Sequence, residues 1–308
     1  MLQWLDIANL RGVVHGAIQG LSPLSILTGR NGCGKSTILD AALLLLAENG
    51  DLGALSRVIG RRTPRSDIGK PYLIPFGRPA TIKIEGEFAA SQQTLEIVCG
   101  ARGPTETPRR KPAGGWSFPG VALLGIDRED ANDLDKAFAA VADQGASAVL
   151  RLEELIQHAF PEVTRILTRV SEGAQRTYVS FVVPDGSFPA HLAGDGVQRL
   201  FLTACAAATL PAGVLLMEEP ECYQHPANMT LLAKVLVDAV RSGTQVILTT
   251  HSIEFVDRIL SASSNNAKRL LEQVTVHLVG LHAGQLSART IQGGDAIEAR
   301  KTVELELR

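Results

Sequence analysis

The segment from Leu27 to Asp40, LTGRNGCGKSTILD, places three glycines and a lysine between two apolar runs. It fits the phosphate-loop pattern G-x-x-x-x-G-K-[ST], which begins here at Gly29 and includes Gly34. Glycines allow successive backbone N–H groups to face one point, and the N-terminus of the following helix adds partial positive charge there. The segment therefore predicts a binding site for a polyphosphate.

The side chains at the end of this loop have separate predicted roles. Lys35 would reach the β- and γ-phosphates, Ser36 would hold Mg²⁺, and Thr37 would help to bind the α-phosphate. We therefore expect ATP and Mg²⁺ as the bound species. The alternative is a chance match on a surface turn, but a strand and a helix are predicted on either side of the loop. The predicted nucleotide-binding residues of the loop are Asn31, Gly32, Cys33, Gly34, Lys35, Ser36 and Thr37.

A second group of candidate residues follows the apolar run GVLLM at residues 213–217, where the chain continues as EEPE. Strands that are buried on both faces place their carboxyl ends at the ligand crevice of such folds. Two adjacent carboxylates are costly there unless a cation or water meets them. We expect Glu218 to support Mg²⁺ and Glu219 to polarise the water that attacks the γ-phosphate.

A histidine ends the next predicted strand, TQVILTT, and the residue after it can cap a helix. A single histidine after a strand is usually only a polar residue at the edge of the core. Here it follows the strand that comes after the carboxylates. We therefore expect His251 to contact the γ-phosphate.

The composition limits the class of protein. The chain has 308 residues, of which 45% are hydrophobic and 20% are charged, enough for one large domain or one domain with a subdomain. A net charge of −2 argues against a wholly basic nucleic-acid-binding surface. The four separated cysteines and the lack of a signal peptide favour free thiols in the cytoplasm. No apolar run reaches the roughly 18 residues that span a bilayer, so we expect no direct membrane insertion.

Strands and helices alternate from Thr177 onward, which predicts a mostly parallel α/β sheet. Before this region, ATIKIEGEF and TLEIVCG alternate as antiparallel strands, and residues 101–119 are expected to form a Pro/Gly/Arg-rich loop. Helical spacing extends from residue 127 to 170. The predicted fold is α/β: a P-loop NTPase with a mostly parallel central sheet, an additional antiparallel sheet and a small helical subdomain. The predicted boundaries are 1–126 and 176–308 for the two parts of the ATPase domain and 127–175 for the helical subdomain.

These motifs, in this order, resemble the ABC-type ATPase heads of SMC, RecF and OLD-like AAA ATPases. The segment EEPECYQHP resembles the EEPE-x-x-x-HP form of the OLD-like group. The resemblance implies that Glu219 is the hydrolytic base, that His251 is the switch histidine, and that two heads close as a homodimer or head-to-head dimer around two ATP molecules. The sequence continues into neither a Toprim nuclease nor a long coiled coil, so we expect a separate effector protein.

The segment LAGDGVQRLFL looks like the signature motif of those heads, which caps the γ-phosphate bound by the opposite chain. Gly194, Asp195 and Gly196 would bind nucleotide in this way, because they expose N–H groups at the start of a helix. The usual serine is absent, and Arg199 could compensate the charge of Asp195. A simple helix-capping turn is the alternative.

Three functions agree with these motifs. The first is an ATPase acting on or near DNA, in repair or in defence against phage, through two basic loops. The second is a nucleotide-gated scaffold that holds or inhibits an effector, and the third and least favoured is the ATPase subunit of a membrane transporter. Either basic loop could also be merely solvated. The candidate DNA-contacting residues are Arg57, Arg61, Arg62, Arg65, Arg109 and Arg110.

Overall fold

The computed structural model describes residues 1–47, 55, 58, 80–100, 103–106, 108–111, 119–125, 131–171, 177–265 and 268–301. Strands and helices alternate along most of this chain. The strands are β1 (Leu2–Leu10), β2 (Val13–Ile18), β3 (Leu24–Thr28), β4 (Ala80–Phe88), β5 (Ser91–Gly100), β6 (Gly103–Pro104), β7 (Arg109–Lys111), β8 (Val121–Leu124), β9 (Arg165–Val170), β10 (Thr177–Val183), β11 (Gly186–Pro189), β12 (Val214–Glu218), β13 (Gln245–Thr249), β14 (Val274–His282) and β15 (Gln285–Gln292).

Helices cover the sheet and form a separate cluster beside it. Within the part of the chain that the structure describes, no helix combines the length and the hydropathy needed to cross a membrane. The helices are α1 (Lys35–Leu46), α2 (Ala131–Ala142), α3 (Ala146–Ala159), α4 (Asp195–Thr209), α5 (Pro226–Arg241), α6 (Ile253–Asn265), α7 (Lys268–Leu271) and α8 (Gly293–Lys301).

The centre of the main sheet is parallel. Strands β14, β3, β13, β12 and β8 are consecutive parallel neighbours in a 12-stranded mixed sheet. Every residue of β3, β12 and β13 is buried, because helices cover both faces of a parallel sheet. The carboxyl ends of these three strands therefore meet at one edge.

The predicted antiparallel strands β4 and β5 are confirmed. Strand β4 also pairs with β1, so both strands extend the central sheet, and β2 joins this antiparallel part to β15. Residues 11 and 12 connect β1 to β2. The reversal before it is tight, with Arg11 in the left-handed region at φ 52°.

Helices α2 and α3 form the predicted helical cluster, but two segments beside them differ from the prediction. Arg165–Val170, predicted as helical, forms β9, and β10 pairs with it in a separate three-stranded antiparallel sheet instead of joining the parallel one. The β-branched residues of β9 favour a strand. Its buried Ile166 lies opposite Phe181, whose ring packs edge-on against Phe201 of α4 at 5.5 Å. The paired strands β9 and β10 lie on opposite sides of the predicted boundary at residue 175, and the domain boundaries remain a prediction.

Part of the predicted loop at residues 101–119 is also strand, and its Arg110 has a structural role. The Arg110 guanidinium donates to the carbonyl oxygens of Leu44, Leu45 and Ala47 at 2.6 to 2.7 Å. These carbonyls belong to the C-terminal end of α1, where intrahelical partners are lacking. Burial lowers the pKa of Arg110 to about 10. Three hydrogen bonds of Arg110 are therefore used at the end of α1, and contact of this residue with DNA remains a prediction.

Arg109, on the neighbouring position of β7, remains exposed and forms an ion pair with Glu106 at 2.6 Å. The other predicted DNA-contacting arginines lie outside the described residues. They are Arg57, Arg61, Arg62 and Arg65.

A chain of polar side chains, in which Thr275 and His277 are buried, connects the strands beside β3. His277 lies 2.9 Å from the Thr275 hydroxyl through Nε2 and 3.0 Å from the Thr290 hydroxyl through Nδ1. Thr275 in turn contacts the hydroxyl of Ser22 at 2.8 Å. Burial of the ring lowers the pKa of His277 to about 4. The folded protein therefore keeps this imidazole neutral.

We expect His277 to make the free energy of unfolding depend on pH. The unfolded chain protonates this residue near its ordinary pKa of 6.5, whereas the folded chain does so only near 4. Stability should therefore fall by up to about 3 kcal/mol as the pH decreases through this window. Urea unfolding of the wild type and of His277→Gln at several pH values tests this. Identical pH slopes in the two proteins would contradict the prediction.

Candidate nucleotide-binding and hydrolysis site

The loop between β3 and α1 requires glycine at defined positions. Gly29 has φ +146°, and a Cβ there would lie 2.4 Å from the carbonyl oxygen of Val279. Gly32 and Gly34 also have positive φ values of 76° and 95°. Gly34 is the N-cap of α1, so the helix begins at Lys35. The loop therefore connects a buried strand directly to a buried helix. The first backbone N–H groups of that helix lie beside the loop.

The ammonium group of Lys35 lies against this loop. Its Nζ donates to the carbonyl oxygens of Gly29 at 2.8 Å and Arg30 at 3.1 Å, and lies 3.7 Å from the Cys33 sulfur. The side chain is buried. Phosphate oxygens bind an ammonium group more strongly than neutral carbonyls do. The placement of Lys35 therefore suits an anion in the loop.

An open cavity of about 880 Å³ adjoins the loop, within the size range of small-molecule sites. Loop backbone, the end of β14 and the ring of His251 form its walls. Because residues from three strand ends meet here, the cavity joins the loop to the rest of the site. Its lining residues are Thr28, Gly29, Arg30, Asn31, Gly32, Cys33, His251, Val279, Gly280 and Leu281.

The two residues predicted to hold Mg²⁺ are in contact. Ser36 Oγ donates a hydrogen bond to Glu218 Oε1, although the two residues are 182 positions apart. Glu218 is buried at the end of β12, and Thr37 is buried in the first turn of α1. Hydroxyl and carboxylate oxygens are the kind of ligands that Mg²⁺ takes. The donor set therefore fits this cation.

Glu219 and His251 form a second pair. Glu219 Oε1 lies 3.3 Å from His251 Nε2, and Glu219 Oε2 accepts a hydrogen bond from the Cys222 thiol at 3.3 Å. Glu219 has a φ of 44°, and its N–H donates to the carbonyl of Thr249 at 3.0 Å. Partial burial lowers the pKa of His251, the Lys35 charge lowers it further, and Glu219 opposes both effects. A neutral His251 can donate from Nε2 to the carboxylate.

The predicted signature segment begins a helix, as expected. Gly194 is the N-cap of α4 and Asp195 is its first residue. A Cβ at Gly196 would lie 2.5 Å from the carbonyl oxygen of Tyr223, so glycine allows the segment after β12 to pack closely. Gln224 Nε2 donates to the Gly196 carbonyl at 2.9 Å. Contact of Gly194, Asp195 and Gly196 with nucleotide remains a prediction.

The main role of Arg199 is structural and does not follow from the sequence pattern. This buried side chain donates through Nη1 to the Gly125 carbonyl at 2.7 Å. Its Nη2 donates to the carbonyl of Glu218 and, at 3.1 Å, to that of Glu219. Arg199 lies one helical turn after Gly196, on the face of α4 that meets the end of β12. It thus links the signature helix to both carboxylate residues.

Part of the chain is similar in sequence to a described domain type. Residues 134–257 match the family model described as "AAA domain, putative AbiEii toxin, Type IV TA system". The chain is also 32% identical over 72 residues to an uncharacterised protein of Methanocaldococcus jannaschii. That match covers 23% of this chain and 63% of the archaeal protein, which is less than two thirds of its length.

Solved structures of SMC heads share the fold. An SMC head bound to the C-winged helix domain of ScpA has a TM-score of 0.62 at 14% identity, covering 96% of this chain and 99% of that one. The Smc head of Pyrococcus furiosus, with an extended coiled coil and bound to the C-terminal domain of ScpA, has a TM-score of 0.62 at 11% identity and 99% coverage of both chains. The SMC head of Thermotoga maritima has a TM-score of 0.51 at 16% identity, and the match covers 94% of this chain and 99% of that one. The predicted P-loop ATPase fold is confirmed, whereas the OLD-like subtype remains a prediction.

We expect Arg199→Met to lower the free energy of unfolding by about 2 to 4 kcal/mol, because it removes the charged donor that three carbonyl groups around the end of β12 share. Arg258→Met is the matched control, since Arg258 forms an exposed pair with Glu254. That substitution should change stability by less than about 0.5 kcal/mol. Urea unfolding measures both values. Equal losses in the two variants would show that the Arg199 hydrogen bonds do not stabilise the fold.

Proposed function

We propose that this chain binds ATP with Mg²⁺ and hydrolyses its γ-phosphate. One observation carries the proposal: the pairs Ser36–Glu218 and Glu219–His251 lie at adjoining strand ends, next to the loop that contains Lys35. Cation ligands, a carboxylate base and an ammonium group are the parts that phosphoryl transfer needs. The match of residues 134–257 to an AAA domain supports the same function.

Each side chain has a defined task in this mechanism. Lys35 would move its donors from the loop carbonyls to phosphate oxygens, and Ser36 and Glu218 would hold Mg²⁺. Mg²⁺, when bound, neutralises charge that develops on the phosphate oxygens. Glu219 accepts the proton of the attacking water, and His251 orients Oε1 of that carboxylate through Nε2. Because a neutral imidazole carries one N–H group, donation from Nε2 to a γ-phosphate oxygen would take the place of this contact with Glu219.

The proposed working unit is a dimer of two such chains. Gly194 has open space around its Cα, with no atom within 4 Å of an added Cβ, so the start of α4 is accessible to a second molecule. A helix N-terminus with exposed N–H groups attracts phosphate. Gly194, Asp195 and Gly196 of one protomer would then cap the nucleotide held by its partner. ATP binding closes this dimer and hydrolysis opens it.

The proposed process is DNA-associated repair or anti-phage defence with a separate effector. The family description includes the words "putative AbiEii toxin, Type IV TA system", which supports a role in defence. The basic residues around position 61 and the exposed Arg109 support contact with phosphate backbones. A nucleotide-gated scaffold is the second candidate. It is favoured by the missing signature serine and by solved SMC heads that are bound to fragments of ScpA.

We expect Glu219→Gln to bind ATP but to hydrolyse it at least about 100-fold more slowly than wild type, because the base is lost. With ATP and Mg²⁺ the variant should elute as a stable dimer in size-exclusion chromatography with light scattering. Lys35→Ala is the control, and it should lose nucleotide binding and remain monomeric. Undiminished turnover by Glu219→Gln would exclude Glu219 as the base. A monomer with ATP bound would contradict the shared site.

A salt titration of DNA binding distinguishes a DNA-associated ATPase from a nucleotide-gated scaffold. If the loop contacts DNA, changing Arg61, Arg62 and Arg65 to alanine should reduce the slope of log K against log salt by up to about 3. The control changes three exposed arginines elsewhere and removes the same charge. Equal weakening by both sets would refute a specific role of the loop, and no binding by the wild type at low salt would favour the scaffold. The control positions are Arg151, Arg258 and Arg289.

A further inference from the structure

The third glutamate of the EEPE segment has no part in the mechanism above, yet it is buried beside the site. Glu221 is only 9% exposed. Its Oε1 accepts hydrogen bonds from the Thr250 hydroxyl and, at 3.4 Å, from the His251 backbone N–H. In the described part of the chain, Oε2 has no hydrogen-bond partner. Burying a carboxyl group in this way is costly, which favours a functional reason for its presence.

The partners of Glu221 belong to the turn that carries the histidine. Thr250 accepts a hydrogen bond from the Ser252 N–H at 2.9 Å, and its own N–H donates to the Leu27 carbonyl at 3.0 Å. Ser252 in turn accepts from the N–H of Phe255 at 3.1 Å, which caps α6. The carboxyl of Glu221 therefore anchors a continuous chain of hydrogen bonds from the end of β13 to the start of α6. His251 lies in the middle of this chain.

Glu219 and Glu221 also belong to one compact turn. The Cys222 N–H donates to the Glu219 carbonyl and the Gln224 N–H donates to the Glu221 carbonyl, each at 3.0 Å. The same segment thus contacts His251 twice, at the ring through Glu219 and at the backbone through Glu221. Two contacts from one short segment fix the ring relative to the carboxylate base more firmly than one contact can.

We propose that Glu221 is a positioning residue that holds the turn at residues 250–252 so that His251 Nε2 stays beside Glu219 Oε1. This inference rests on the proposed ATP hydrolysis. Glu221 acts as an acceptor for the turn and does not touch the reacting atoms. A displacement of about 1 Å of a catalytic group can slow a reaction about 100-fold, so loss of this acceptor should affect turnover rather than substrate binding.

Two variants of similar size distinguish the effect of the hydrogen-bond acceptor of Glu221 from the effect of its negative charge. Glu221→Gln keeps a carbonyl oxygen at the position of Oε1, whereas Glu221→Leu removes the acceptor. We expect Glu221→Gln to retain kcat within about threefold of wild type. Glu221→Leu should lower kcat about 10- to 100-fold with KM for ATP within about twofold, because the loss lies in the transition state. Thermal unfolding checks that both variants are folded.

Hydrogen exchange of the nucleotide-free protein provides a readout that does not need hydrolysis. Peptides that include residues 250–252 should exchange about tenfold faster in Glu221→Leu than in wild type or Glu221→Gln, while β14 is unchanged. If the wild type does not hydrolyse ATP, the proposed function fails but the exchange result still tests the positioning. Unchanged exchange of the turn in Glu221→Leu would overturn the inference whatever its kcat. Equal loss of kcat in Glu221→Gln and Glu221→Leu would also overturn the inference. The negative charge of Glu221, and not its hydrogen-bond acceptor, would then support turnover.

Discussion

The parallel register of β3, β13 and β12 is the constraint on which the site depends. Glu218 lies opposite Thr249, and Thr249 lies opposite Leu27, the residue before the last one of β3, so the three strands end within one residue of the same level. The loop, the carboxylate pair and the histidine each lie at or just after one of these ends. A slip of one residue in any strand would turn its side chains to the opposite face of the sheet. Complete burial of all three strands opposes such a slip, since each residue is packed by helices on both faces.

Two arginines, the half-buried Arg110 and the buried Arg199, fix the helices whose N-termini face the predicted phosphate positions. Arg110 binds the C-terminal carbonyls of α1, and Arg199 ties α4 to the end of β12. Both guanidinium groups distribute their donors over several carbonyls, which suits a planar cation with five N–H groups. The phosphate loop is therefore held at both ends, by the packing of β3 and by the anchored far end of α1.

The parts of this site that the sequence predicts are those whose signal is local. The glycines around Lys35, the carboxylates after β12 and His251 after β13 each follow an apolar strand within a few residues. The structural hydrogen bonds of Arg110 and Arg199 could not be predicted from the sequence. Their partners are carbonyl groups of distant segments, which no side-chain pattern indicates. The helical prediction for Arg165–Val170 was wrong for a related reason. The apolar residues of this segment also fit helical spacing, and it is the pairing with β10 that makes it a strand.

The position of Arg199 bears on how two sites of the proposed dimer would communicate. The start of α4 would meet the nucleotide of the partner, while Arg199, one turn later, holds the carbonyls of Glu218 and Glu219 in its own chain. Gln224 adds a second connection through the Gly196 carbonyl. A helix moves as a rigid unit over a single turn, so a displacement at its first residues is transmitted to these carbonyls. Closure on one nucleotide would thus adjust the carboxylates that act on the other.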